Sequence, residues 1–237
     1  MFVEKWMTPN PFTLPPDTTI SAAALEMSKH HFRHLLVTES GPTGKKLLGL
    51  LAKDDIARAF PSDYNPFSPQ PTEKIVSDPI SKIMIHNVAT VEPYCAIEEA
   101  VHILRTRRIN ALPVVRNGNL VGIITETDIY DALLDMTGAN AAGVKLIVES
   151  DDVKNALVSM TQLCDRNQLQ MLNALAFHDK LSPNKVISVF HFAGKLVQTR
   201  SLDILQQLLI AGSRAHERRN VGAIDDPRRA FRQIVFR

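Results

Sequence analysis

One line of this sequence is written twice. Gly49 to Ile56 reads GLLAKDDI, and Gly122 to Ile129 reads GIITETDI. Each has a glycine, two apolar residues, a small residue, two variable positions, an aspartate and an isoleucine. The likeness extends upstream. With Met7 set over Met84, identities fall at Asn10/Asn87, Thr13/Thr90, Pro16/Pro93, Ile20/Ile97, Ala23/Ala100, Leu35/Leu112 and Val37/Val114. The first copy carries four extra residues in SGPTGKK, after which Asp55 aligns with Asp128. A repeat of this length means two copies of one supersecondary unit.

Each copy reads as β-α-β-β-α. A short extended segment, 11–14 or 88–91, precedes a helix with apolar residues at helical spacing, 20–30 or 97–107. A strand follows, HLLVTE or ALPVVR, then a turn, 41–44 or Asn117-Gly118, then LLGLLA or LVGIIT. Asn-Gly between two β-rich runs is a strong hairpin signal. A closing helix begins at Lys53 or Glu126. One such unit leaves a sheet face uncovered; two can bury it against each other.

The segments MTPNPFTLPPDTTISAAALEMSKHHFRHLLV with GLLAKDDI, and MIHNVATVEPYCAIEEAVHILRTRRINALPVV with GIITETDI, resemble a tandem pair of CBS domains, a Bateman module. The resemblance covers residues 1–137, with repeats at 1–60 and 77–137 joined by 61–76, where PSDYNPFSPQP excludes a helix.

Thr125 and Asp128 read in two ways. A threonine at a helix start with an acid three residues on is close to a capping box, and a carboxylate suits the first turn of a helix. The same helix start offers free N–H groups to a phosphate. In the CBS family this pair holds the ribose and phosphate of adenosine nucleotides. The resemblance therefore implies a site at Thr125 and Asp128 with Phe12, Thr13, Phe32, Arg33 and His34. A related site would use Asp55 with Ala89, Thr90, Ile109 and Asn110. There Ala52 stands where a hydroxyl is expected, and Lys53 is the residue that could compensate.

Past the small-residue linker 138–143, the order over 144–224 is β-α-β-β-α-β: strands at 144–149, 170–177 and 185–192, helices at 152–166 and 202–215, and a last strand at 221–224. It resembles a ferredoxin-like, ACT-type domain. The turn ESDDV lacks the glycine with which ACT domains bind an amino acid, so a dimerising or interaction domain is expected. Residues 225–237 complete a basic tail, with seven arginines against three acids over the last 24 residues. No aromatic-basic strip accompanies it, so nucleic-acid contact is not expected.

The fold class expected is α+β. Net charge is +2, which draws the chain neither to nucleic acid nor to an anionic membrane. Two cysteines without a motif fit a reducing setting, and neither an apolar leader nor a spanning run is read, so a cytoplasmic protein is expected. No P-loop, dinucleotide fingerprint or nucleophile elbow is found, and His30 and His34 lack companions for a metal. The expectation is a non-catalytic regulatory module that needs no cofactor and binds AMP, ADP, ATP or S-adenosylmethionine, acting as a homodimer or on a partner enzyme. Two alternatives stay open: a structural assembly module whose pair binds nothing, or a regulatory subunit acting through its C-terminal domain.

Overall fold

The computed structural model describes residues 1–59, 77–141 and 143–193, with the backbone of 215–216 and 231–236. It divides into two compact units, Met1–Asp131 and Ala132–Arg237.

In the first unit the sequence pattern becomes two matching layers. Copy 1 contains β1 (Thr8–Pro9), β2 (Thr13–Leu14), α1 (Ile20–Lys29), β3 (His34–Gly41), β4 (Gly44–Ala52) and α2 (Lys53–Ala59). Copy 2 contains α3 (Ile97–Arg107), β5 (Ala111–Arg116), β6 (Asn119–Thr125) and α4 (Glu126–Met136). Thr19 caps α1 by accepting the N–H of Ala22 at 3.2 Å. The hairpin turn at Asn117 and Gly118 has both φ positive, 51° and 80°, the pairing for which Asn-Gly is suited. Both hairpins carry a register shift at the equivalent place, between Val37 and Thr38 and between Val114 and Val115. Both first helices are followed by a left-handed residue, His31 (φ 56°) and Arg108 (φ 53°).

The copies exchange their leading segments. β1 joins not its own sheet but that of copy 2, giving the order β1-β6-β5. Val3 is fully buried with Val91, Leu104, Leu112 and Ile124 in the copy 2 core, and Trp6 and Met7 pack against that cluster. Conversely, Ile80 and Met84 lie with Ile20, Met27, Leu35 and Leu51 in the copy 1 core. The N–H of Leu50 and that of Ile85 donate to each other's carbonyls at 3.0 and 2.8 Å. The doubled glycine now has its reason. A Cβ on Gly49 would lie 2.7 Å from Met84 Sδ, and one on Gly122 would lie 2.5 Å from Met7 Sδ. The aligned methionines each press on the other copy's glycine. Between the two layers, Leu36, Leu50, Ala111 and Leu120 form a third buried cluster, where the sheets cover each other.

The second unit has β7 (Gly143–Ser150), α5 (Val153–Asn167), β8 (Met171–His178), β9 (Val186–Ala193), β10 (Ala215–His216) and β11 (Phe231–Phe236), in sheet order β10-β11-β7-β9-β8. Asp152 caps α5 by accepting the N–H of Lys154 at 3.0 Å. The helix buries Ala156, Met160 and Leu163 against Val144, Leu146, Phe190 and Phe192. The first four elements fall where the sequence places them. The expected helix at 202–215 and strand at 221–224 lie outside the described residues, except that Ala215 starts a strand. The segment 225–237, expected to be a basic tail, holds a strand instead: β11 runs parallel to β7 in the register Phe231↔Gly143 to Phe236↔Val148. Its β-forming run, FRQIVF, is hidden in the sequence by the surrounding arginines. Among the described residues, no helix is long and apolar enough to cross a membrane.

Candidate functional site

The two copies of the repeated line end at two helix starts, and these differ. At the start of α4, the Asp128 carboxylate reaches back: its Oδ2 accepts the N–H of Thr125 at 2.7 Å and the Thr125 hydroxyl at 2.8 Å. The N–H of Asp128 points at Thr125 Oγ1 at 3.5 Å. This is the reciprocal arrangement of a capping box. It uses one carboxylate oxygen. Asp128 Oδ1 has no protein partner among the described residues, and the side chain is only half-buried. At the start of α2, Asp55 Oδ2 likewise accepts the N–H of Ala52, at 2.8 Å, but Ala52 brings no hydroxyl. Arg58, one turn along the same helix, holds Asp55 Oδ1 in an ion pair. The position equivalent to Arg58 in copy 2 is Asp131, so no such pair forms on Asp128. One aspartate is open and the other is closed.

The segment between α1 and β3 brings copy 1 to both places. Arg33 donates through its guanidinium to the Thr127 hydroxyl at 3.0 Å, beside Asp128. The next residue, His34, turns elsewhere: its Nε2 lies 2.6 Å from Asn110 Oδ1. Burial lowers the His34 pKa, partly offset by this hydrogen bond. His34 is thus with the second site's residues, not with Thr125 and Asp128 as the resemblance implied. It lines a cavity of about 350 Å³ with Asn110, Ala89 and Val88, and with Arg107 and Arg108 from the end of α3.

The remaining expected residues are placed as follows. Phe12 and Phe32 are ring neighbours at 5.8 Å, and His30 stacks on Phe32 at 5.2 Å. Thr13, on β2, accepts a hydrogen bond from Lys45 Nζ at 2.9 Å. Lys53 lines a groove in copy 1 with Phe32 and Arg33, away from the cavity that holds Asn110. Thr90 is exposed on the segment leading into copy 2. Sequence reasoning did not find Arg58, Arg107 or Arg108. The signal for Arg58 was present: it sits three residues after Asp55, where the other copy has an acid. Among the described residues, no cluster of three or more metal-ligating side chains occurs.

The model of the CBS domain family matches residues 3–62 and 80–135. An uncharacterized protein of Methanocaldococcus jannaschii is 31% identical over 134 residues, which span 54% of this chain and 47% of that protein, so the chain spans about half the length of that relative. A solved structure from Vibrio cholerae, of a protein named for acetoin utilization, is 28% identical; the match covers 58% of this chain and 93% of that one, with a TM-score of 0.50. A CBS domain pair solved with 5′-methylthioadenosine and S-adenosyl-L-methionine is 25% identical, covering 56% of this chain and 95% of that one, at a TM-score of 0.46. The two copies that wrote the same line twice, residues 3–62 and 80–135, are a tandem pair of CBS domains.

Proposed function

We propose that the pair is a non-catalytic ligand-binding module that takes an adenosine-containing molecule (AMP, ADP, ATP or S-adenosylmethionine) at Thr125 and Asp128. The observation that carries this is the spare oxygen of Asp128. A carboxylate with one oxygen fixed by Thr125 is held in place, and its other oxygen accepts hydrogen bonds from ribose hydroxyls. The N-terminus of α4 and the Arg33 guanidinium beside it favour the phosphates. Arg33 belongs to copy 1 and Asp128 to copy 2, so a ligand that engages both would favour one placement of the copies. That differential contact is what lets a ligand regulate a partner enzyme.

The closed state of Asp55 makes the expected occupancy one nucleotide per pair. Asp128→Asn tests this directly. Asparagine keeps an oxygen to accept the Thr125 N–H but loses the charge that a ribose diol prefers. Calorimetric titration with each of the four molecules should show one site per chain in the native protein and a loss of ten-fold or more in Asp128→Asn. Unchanged affinity in the variant sinks the assignment.

A second reading has its own support. Thr125 and Asp128 already complete a capping box without any ligand. If no nucleotide binds, the pair serves assembly alone, and Asp128→Ala should cost only the roughly 1 kcal/mol of a lost cap. In either reading we expect a homodimer, since apolar Leu25 on α1 is 67% exposed and Tyr130 on α4 is 60% exposed. Light scattering on the eluting chain measures this.

A further inference from the structure

A groove in copy 1 adjoins the site above and shares Arg33 with it. It lies between α1 and α2, has a volume of about 300 Å³, and is walled by apolar Met27, Phe32 and Ile56. His31, Arg33 and Lys53 stand around it, and among the described residues no carboxylate lines it. Asp55, on α2, is engaged by Arg58 and by the Ala52 N–H.

The basic segment is fastened at several points. The Phe32 N–H donates to the Met27 carbonyl at 3.0 Å, and the Lys53 N–H donates to the Arg33 carbonyl at 3.0 Å. Arg33 itself is held by Thr127. The Arg33 guanidinium and the backbone that carries Lys53 are therefore set in position before anything binds, which reduces the ordering cost of binding. The volume is at the lower end of the range for small-molecule sites, roughly 300–1,000 Å³, and an apolar wall with a few convergent polar groups is their usual character.

We infer that this groove binds a small amphipathic anion, an aromatic ring or short apolar body carrying one phosphate or carboxylate, with the body on Met27 and Ile56 and the charge at Lys53 and Arg33. This site shares Arg33 with the proposed nucleotide site but does not involve Asp128.

The test uses the full chain with methyl-labelled methionine, the Met27 signal being assigned with Met27→Leu. Phenyl phosphate is the probe, with inorganic phosphate and phenol as its two halves. The expected result is a saturable shift of the Met27 methyl by phenyl phosphate, at least ten-fold tighter than by either half. Lys53→Gln should weaken it ten-fold or more. Ala57→Leu, at an exposed helix position lining the groove, should abolish it while helix content is unchanged. Asp128→Ala should leave it unaffected. A shift that does not saturate, that survives Ala57→Leu, or that inorganic phosphate reproduces at equal concentration overturns the inference.

Discussion

Replacing Gly49 by alanine tests the exchange of leading segments at its tightest point. The added methyl would lie 2.7 Å from Met84 Sδ and 2.8 Å from the Ile85 carbonyl oxygen. The sulfur can swing aside. The carbonyl cannot, because the Ile85 carbonyl and N–H are both bonded to Leu50, the residue next to the glycine. Relief requires that pair of hydrogen bonds to stretch, each contributing about 1 kcal/mol net. It also displaces Met84 from a core in which it is 8% exposed, and overpacking of this kind costs typically about 1–3 kcal/mol. We expect Gly49→Ala to destabilise the chain by about 2–3 kcal/mol. At Gly122 the closest atom is the flexible end of Met7, at 2.5 Å, and the nearest backbone atom, the Thr8 oxygen, is at 3.2 Å. Gly122→Ala should therefore cost less, about 1 kcal/mol, and Gly122→Ala with Met7→Ala should be less destabilising than the sum of the two. Urea unfolding of the native chain and the four variants measures this, with a constant slope required for comparison. If Gly49→Ala is neutral, or if Gly122→Ala is the more damaging, the steric account of the doubled glycine is wrong.

Other consequences can be checked separately. His191 is 1% exposed and, among the described residues, neither ring nitrogen has a hydrogen-bond partner; burial, then the charge of Lys145, lower its pKa. Above pH ~6.5 both folded and unfolded imidazoles are neutral, but below it the unfolded chain takes up the proton first, so stability should fall as the pH drops. His191→Phe should flatten the fall below about pH 6.5 in thermal melts; an unchanged slope counts against it. Burial, then Glu99, raises the Cys95 thiol to about 11. Its labelling by iodoacetamide at pH 8 should be roughly a hundred-fold slower than in the denatured chain, as only the thiolate reacts. Ala52→Thr combined with Arg58→Ala gives Asp55 the hydroxyl and the freedom that Asp128 has; nucleotide stoichiometry by calorimetry should rise from one to two per chain, and a value still at one shows that more than the ion pair closes that cleft.

Much of the first unit was legible because each local signal agreed with the repeat. Helical spacing at 20–30, the Asn-Gly turn and the glycine-to-aspartate line each met the same signal in the other copy, and the structure bounds those elements within a residue or two. What the sequence hid was which copy each lead packs on. Val3 and Met7 look like the beginning of copy 1, and periodicity holds no record of a partner across the sheet. His34 was misplaced because the chain changes direction there: Arg33 lies in the bend before β3 and reaches Thr127, while His34 opens the strand and reaches Asn110. The Asp55–Arg58 pair was a local i,i+3 matter and could have been read from the comparison with Asp131. In the second unit, β7 to β9 followed from their apolar runs, while β11 was obscured by counting charge over a segment whose alternating residues form a strand.

The crossed leads bear on what one copy could do alone. A single copy cut from it would carry a lead that fits no surface of its own, and an empty slot beside its glycine. Two identical single copies would satisfy each other completely, lead for slot and methionine on glycine. The same architecture is therefore open to two short, mutually threaded chains. On one chain the association does not depend on concentration, and the two halves can differ, as they do at Arg58 and Asp131.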